Sequence, residues 1–320
     1  MSIAFIKTFN FSVGALLSLL LWHNTLFACS NVVLVSNNSH FAIVHRIEDA
    51  LFSKMQNQAK LTHLLSENMH DKSNLEPLSQ ACLIVTIGSE SLRQVLETKT
   101  NRPILSVLTR RAIFDHLLEI NHRRLNDPKS PISAIYLDQP IKRQLNLIAC
   151  LFNHYPPKVV GVILGNESHY HQAELQKLSA EFPFALQTVI VDKFENPATV
   201  LDSLLHDTKV ILAIPDNRIY NPKTARGMLL TAFHKRVPLV GYSRTFVNNG
   251  AFAAVYSNTK QLAAQTAEEI VKILHNKDKK LPAPQYPRGF TISLNHQVAR
   301  SLGIPIDNEA QIKQEMDKLE

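Results

Sequence analysis

The chain has 320 residues, 45% of them hydrophobic, which is enough to fill the cores of two domains of common size. Its formal charge of +7 is scattered, with no basic stripe and no base-reading motif, so nucleic acid is not an expected partner.

Residues 1–28 read as an export leader. Lys7 supplies a thin positive start, Phe11 to Trp22 an apolar core too short to span a bilayer, and residues 23–28 a polar-to-small end. The expected compartment is the periplasm or its equivalent. Two routes of leader removal stay open. Leu26, Ala28 and Cys29 fit a lipoprotein box in which Cys29 carries the lipid, although Phe27 is bulkier than the residue usual there; ordinary cleavage after Ala28 uses the same positions. Cys82 opens an apolar strand and Cys150 lies in an apolar helix, so both read as small buried hydrophobes; a bond between them would have to connect two domains.

From Asn31 the pattern alternates. Residues 31–36 read as a strand, 41–58 as a helix with apolar positions Phe41, Val44, Ile47, Leu51 and Met55, and 61–65 as a second strand. The polar run 66–74 is a connection, and 82–88 is the clearest buried strand of this half. A helix capped by Ser89 or Ser91 follows, then strands at 103–108 and 133–138 and an amphipathic helix from Ile141. A second series has strands at 159–165, 185–191, 209–215 and 237–241, separated by helices at 168–182, 198–205 and 222–235. The run 237–241 is apolar throughout, as a strand covered on both faces must be. Residues 242–246 read as a loop, Gly250 as a break after which 252–256 enters a different sheet, and 259–275 as a helix.

The block 237–258, the closing strand 290–295 and the segment 296–304 together resemble the ABC transporter substrate-binding proteins whose better-known members bind aromatic amino acids. Weaker echoes lie at 84–91, 159–168 and 214–217. The resemblance covers roughly residues 82–315. It implies an α/β fold of two Rossmann-like lobes with parallel sheets, joined by a multi-strand hinge, of the type I periplasmic binding protein kind. The expected division is residues 29–139 with 251–285 in one lobe and 140–250 with 286–320 in the other. The implied function is a monomeric periplasmic protein that closes on a small molecule and delivers it to an inner-membrane ABC permease; the alternative is a sensory protein of the same fold that reports to a membrane receptor.

Ligands of open α/β sheets sit at the carboxyl ends of strands. The candidates there are Asn37, Ser39, Gly88, Ser89, Ser91 and Thr109, with Arg110 beside it, in the first lobe. In the second they are Asn166, Ser168, Asp216, Asn217, Tyr242, Ser243 and Arg244. Each taken singly reads equally as a cap or turn-former. Many relatives carry acidic groups where this chain has Arg244, which shifts the expected ligand from an amino acid toward an anionic or aromatic molecule, with Tyr242 or Phe246 stacking on it. Arg244 either binds that ligand or pairs with Asp216. No GxSxG, Walker, GxGxxG or CxxC motif is present, so neither enzymatic chemistry nor a cofactor is expected. His169 and His171, two residues apart, would face different sides of a helix and make a poor metal chelate.

Overall fold

Two mainly parallel sheets, joined by three passages of the chain, organise the computed structural model, which describes residues 31–55, 59–71, 75–276 and 280–320. The leader, Cys29, the end of the expected first helix and part of the 66–74 connection lie outside the described residues.

The first sheet contains β1 (Asn31–Ser36), β2 (Lys60–Leu65), β3 (Leu83–Ile87), β4 (Ile104–Thr109) and β5 (Ile132–Tyr136). Its order is β2-β1-β3-β4-β5 and every pairing is parallel. Val32, Val33, Leu34 and Val35 are all fully buried, because helices cover both faces. Each such side chain contributes about 1.5–3 kcal/mol by leaving water. One face packs against α1 (Phe41–Met55); the other meets α3 (Ser89–Glu97) and α4 (Arg111–Ile120), with the short α2 (Glu76–Ser79) beside them.

After α5 (Ile141–Leu151) the second series begins. Its elements are β6 (Val159–Leu164), α6 (Gln172–Leu178), β7 (Ala185–Ile190), α7 (Pro197–Leu204), β8 (Val210–Ala213), α8 (Ala225–His234) and β9 (Leu239–Gly241). Then come α9 (Arg244–Asn248), β10 (Ala253–Tyr256), α10 (Thr259–His275), β11 (Thr291–Leu294), α11 (His296–Leu302) and α12 (Glu309–Asp317). The second sheet has the order β11-β10-β9-β8-β6-β7, parallel except for β11.

The stretch 252–256, expected to enter the other sheet, stays in this one: β10 pairs parallel with β9, Ala253 opposite Val240. The physical reason is α9, where a loop was expected. Ser243 Oγ accepts from the Phe246 amide at 3.1 Å and starts one short helix, which serves as a crossover. Phe246 packs directly over Gly241, where a Cβ would stand 2.4 Å from the ring. Gly250, at φ +115°, ends the helix and sends the chain back alongside β9; it marks a turn, not a change of sheet.

The chain crosses to the first sheet only after Tyr256. A capping box at Asn258 starts α10, whose Leu262, Ala263, Ala267, Ile270 and Ile273 pack with α1 on the first sheet. On the way back, Gln285 bridges to β5: its amide donates to Ala134 O and its carbonyl accepts from the Tyr136 amide, both at 2.9 Å. The three passages thus run at 137–140, 257–258 and 285–290.

Candidate functional site

Arg143, only 7% exposed in its side chain, ties the three passages together from the first turn of α5. Its Nη1 donates to Gln139 Oε1 and to Pro287 O, each at 2.8 Å; Gln139 Nε2 donates to Ser257 Oγ at 2.8 Å, and Ser257 Oγ to Gly289 O at 2.5 Å. The remaining guanidinium nitrogens meet the Glu320 carboxylate at 2.9 and 2.5 Å.

Directly above this knot is a cavity of about 200 Å³. From the first sheet it receives Arg110, after β4, and Leu137, Asp138 and Gln139, after β5. From the second it receives Pro215, Tyr242, Ser243, Tyr256 and Ser257, after β8, β9 and β10, with Gln144 of α5 at its floor. Every strand that contributes does so at its carboxyl end, because parallel strands deliver their outgoing loops to one edge. Asp138 Oδ2 accepts the Arg111 amide at 2.5 Å. Burial pushes the Asp138 carboxyl above the usual carboxylate range, against the opposing pull of that amide and of the Arg110 and His171 side chains. Tyr242 stacks on Phe246 with ring centroids 4.9 Å apart and meets Tyr220 edge-on at 6.3 Å. Its hydroxyl is likewise pushed up by burial, with Arg110 pulling it down.

Beside the cavity, Arg110 Nη1 lies 2.9 Å from Glu167 Oε2. The same carboxylate accepts the Asn217 amide and Asn217 Nδ2, each at 3.1 Å. Farther out, the Arg111 guanidinium sits 5.0 Å over the Tyr170 ring and donates to Tyr286 OH at 3.1 Å.

Among the residues expected from sequence to meet a ligand, Tyr242 and Ser243 line this cavity. Asn166 lines a separate outer groove between α4 and residues 166–170. Ser168 and Asp216, both 1% exposed, hold each other: Asp216 Oδ2 accepts the amides of Glu167 and Ser168 at 3.0 Å and Ser168 Oγ at 2.8 Å, and Oδ1 accepts the Arg218 amide at 2.9 Å. Arg244 makes no ion pair with Asp216. It is exposed and donates from Nε to Tyr256 OH at 3.1 Å, and that hydroxyl also bonds Ser293 Oγ at 2.8 Å.

Asn37, Ser39, Gly88, Ser89, Ser91 and Thr109 sit at the carboxyl ends of β1, β3 and β4 but outside the cavity lining. Ser39 Oγ donates to Asn37 Oδ1 at 2.7 Å, Ser106 Oγ donates to the buried Thr109 Oγ1 at 3.1 Å, and Ser91 Oγ is buried. Gly88, at φ +89°, has the His40 ring where a side chain would be. The sequence reading missed Asp138 and Gln139 as cavity residues. The available signal was an acidic group ending an apolar strand just before Pro140 and a helix.

Two of the larger cavities differ in kind. One of about 570 Å³ belongs wholly to the second series, between α8 and α9, and shares Tyr242 and Ser243 with the cleft. Another of about 750 Å³ lies at the amino ends of β6, β8 and β9, beside Lys158, Lys209 and Pro238, and receives nothing from the first sheet. Among the described residues, no group of three or more His, Cys, Asp or Glu is placed to hold a metal, and no helix is long and apolar enough to cross a membrane. His169 Nδ1 meets Asn166 O at 2.9 Å and His171 Nδ1 meets Glu174 Oε2 at 3.0 Å.

The cysteines differ from one another. Cys150 is a free buried thiol, its pKa pushed up to about 11 by burial; Cys82 is equally buried but disulfide-bonded, contrary to the expectation that both are plain hydrophobes.

Two mainly parallel α/β sheets with a cavity at their facing carboxyl ends and three connecting passages define the architecture of the two-lobed binding proteins. The family described as ABC transporter substrate binding protein matches residues 31–316, and this chain belongs to it. The family binds small molecules, typically outside the cytoplasm and usually with an ABC permease as partner. Among solved structures, a domain in complex with L-Trp from Streptococcus pneumonia is similar at 17% identity and TM-score 0.58, covering 90% of this chain and 98% of that one. A substrate-binding protein with adhesive properties from Clostridium difficile, in its ligand-free open form, is similar at 15% identity and TM-score 0.65, covering 87% and 96%. A conserved domain protein from Vibrio cholerae gives 19% identity and TM-score 0.56, covering 89% and 98%. No curated protein matches.

Proposed function

We propose that this protein is the exported, non-enzymatic solute-binding component of an ABC uptake system, and that its ligand occupies the cavity above Arg143. The observation that carries this reading is the composition of that cavity: one guanidinium, Arg110, one carboxylate, Asp138, and one aromatic wall, Tyr242, brought together from both sheets. The space is smaller than the roughly 300–1,000 Å³ of drug-sized sites, so the ligand is small. Arg110 offers a planar fork for an anionic group, with donors beyond the one that meets Glu167. Asp138 accepts from a cationic or hydroxyl group and supplies the acidic partner that residues 242–246 lack. Tyr242 presents a flat face, already braced by Phe246.

In this account the lobes comprise the first sheet with α10 and the second sheet with β10 and β11, and closure about the three passages gives the permease a shape to recognise. Native mass spectrometry of protein purified from the host periplasm without denaturation tests the reading. A small molecule released on denaturation supports it, and its mass and charge identify the ligand class; L-tryptophan, named in the pneumococcal structure, is the first competitor to titrate.

A further inference from the structure

We infer that Gln144 determines specificity in the cleft by selecting a bound molecule that carries a hydrogen-bond donor, an inference that rests on the cleft being the ligand site. α5 buries Ile141, Leu145 and Ile148, and Gln144 falls on the same face, three residues after Ile141 and four before Ile148. It is only 1% exposed. A leucine or methionine would fill that place without drawing a polar group out of water. The amide is half satisfied. Its Nε2 donates to Gln139 O at 3.4 Å, while its Oε1, also buried, has no partner. The reverse orientation would set two carbonyl oxygens against each other, so it is the oxygen that is left over. Gln139 has nothing to lend it: its own Oε1 accepts from Arg143 Nη1 and its Nε2 donates to Ser257 Oγ, each at 2.8 Å.

Gln144 lines the cleft cavity, and among the described residues no other side chain of that lining has a buried atom without a partner. An acceptor left unpaired where an apolar group would fit costs stability, and a donor on a bound molecule removes that cost. Asp138 differs in kind, because it is a carboxyl group whose Oδ2 is already taken by the Arg111 amide at 2.5 Å. A carboxylate favours a cationic donor, whereas the neutral amide oxygen of Gln144 takes a hydroxyl or N–H without requiring charge. The molecule that fits therefore presents, beside its anionic group and flat face, an O–H or N–H to the floor of the cavity. An analogue without that donor leaves Oε1 buried and unpaired, and is rejected for that reason.

The test compares the wild-type protein with Gln144→Met, and with Gln144→Leu as a second variant, using three probes of one shape. L-phenylalanine, 3-phenyllactate and 3-phenylpropionate carry an ammonium, a hydroxyl or neither beside the same carboxylate and ring. In calorimetric titrations the wild type should bind 3-phenyllactate at least about tenfold more tightly than 3-phenylpropionate, and Gln144→Met should bring the two within about threefold. L-phenylalanine should keep part of its advantage in the variant, through Asp138. Ligand-free Gln144→Met, refolded after bound molecules are removed in denaturant, should melt roughly 2–4 °C above the wild type, since an unpartnered buried oxygen has been replaced by an apolar group. A Tm about 2 °C or more below the wild type would make Gln144 a support for Gln139 and overturn the inference, whether or not a probe binds. Equal wild-type affinities for 3-phenyllactate and 3-phenylpropionate, or a parallel loss of both in Gln144→Met, would overturn it while leaving the cleft as the ligand site. Probe binding that neither Gln144→Met nor Arg110→Ala alters would contradict the cleft reading itself, and the selectivity with it.

Discussion

Arg110 Nη1 and Glu167 Oε2 stand 2.9 Å apart, one at the end of β4 in the first sheet and the other just after β6 in the second. The pair links the loops that follow the two strands, beside the cavity that Arg110 lines, with side chains 20% and 26% exposed. Glu167→Gln leaves the cavity lining intact but removes the charge, so ligand affinity should fall about 3- to 10-fold, through population of an open form, and the radius of gyration without ligand should rise. Calorimetric titration and small-angle scattering read both. Unchanged affinity and radius would show that the pair does not latch the cleft.

Tyr242 forms the wall between the cleft cavity and the 570 Å³ space beside α8. Tyr242→Ala should weaken binding of the co-purified molecule by about 10- to 100-fold, corresponding to the ~1–3 kcal/mol of a buried aromatic contact, while Tyr242→Phe should retain most of it. Equal losses in the two variants would assign the effect to the hydroxyl instead.

Arg110 and Arg244 separate a direct contact from a supporting one. Arg244 reaches the cavity only through Tyr256 OH. Arg110→Ala should therefore cost affinity at least tenfold more than Arg244→Ala, whose effect Tyr256→Phe should reproduce. Titration of the three variants decides the matter, and a larger loss in Arg244→Ala would place its guanidinium on the ligand.

Asp216 and Arg143 are expected to matter for stability. Asp216→Ala strands the amides of Glu167, Ser168 and Arg218, and Arg143→Met breaks the knot of the three passages. Each should cost about 2–4 kcal/mol of unfolding free energy in urea titrations. A loss below about 0.5 kcal/mol for either would show that its network is redundant.

The sign of a pH effect follows from Asp138, whose folded pKa lies above the ordinary 3.8 because of burial. Between 3.8 and the raised value the native state holds more protons than the unfolded chain, so this group's contribution to stability falls as pH rises through that window and stays lost above it. The Tm of Asp138→Asn minus that of the wild type should therefore grow as pH rises from 3.8 to neutrality. A flat or shrinking difference contradicts the assignment.

The parallel strands were legible because a strand covered on both faces must be almost wholly apolar, as 159–164 is and as 83–87 is apart from Thr86. Which sheet such a strand joins was not legible. β10 is equally apolar in either place, and its membership depends on a five-residue helix too short to leave a period. The helix at 111–120 and the closing helix 309–317 also escaped the sequence reading. For the site, the loops were found but the side chains within them were not ranked. Asp216 and Asp138 both end apolar strands; the first spends its oxygens on neighbouring amides and a hydroxyl, while the second lines the cavity, and only the tertiary partners distinguish them. Arg110 and Glu167 meet across 57 positions of sequence, a relation that no local pattern records.

The most direct test of the account is a crystal structure of the protein with its co-purified molecule. The account predicts ligand density between Arg110, Asp138 and Tyr242, in contact with residues from both sheets. Density confined to the 570 Å³ space beside α8, or to the 750 Å³ cavity at the amino ends of the second sheet, would contradict it.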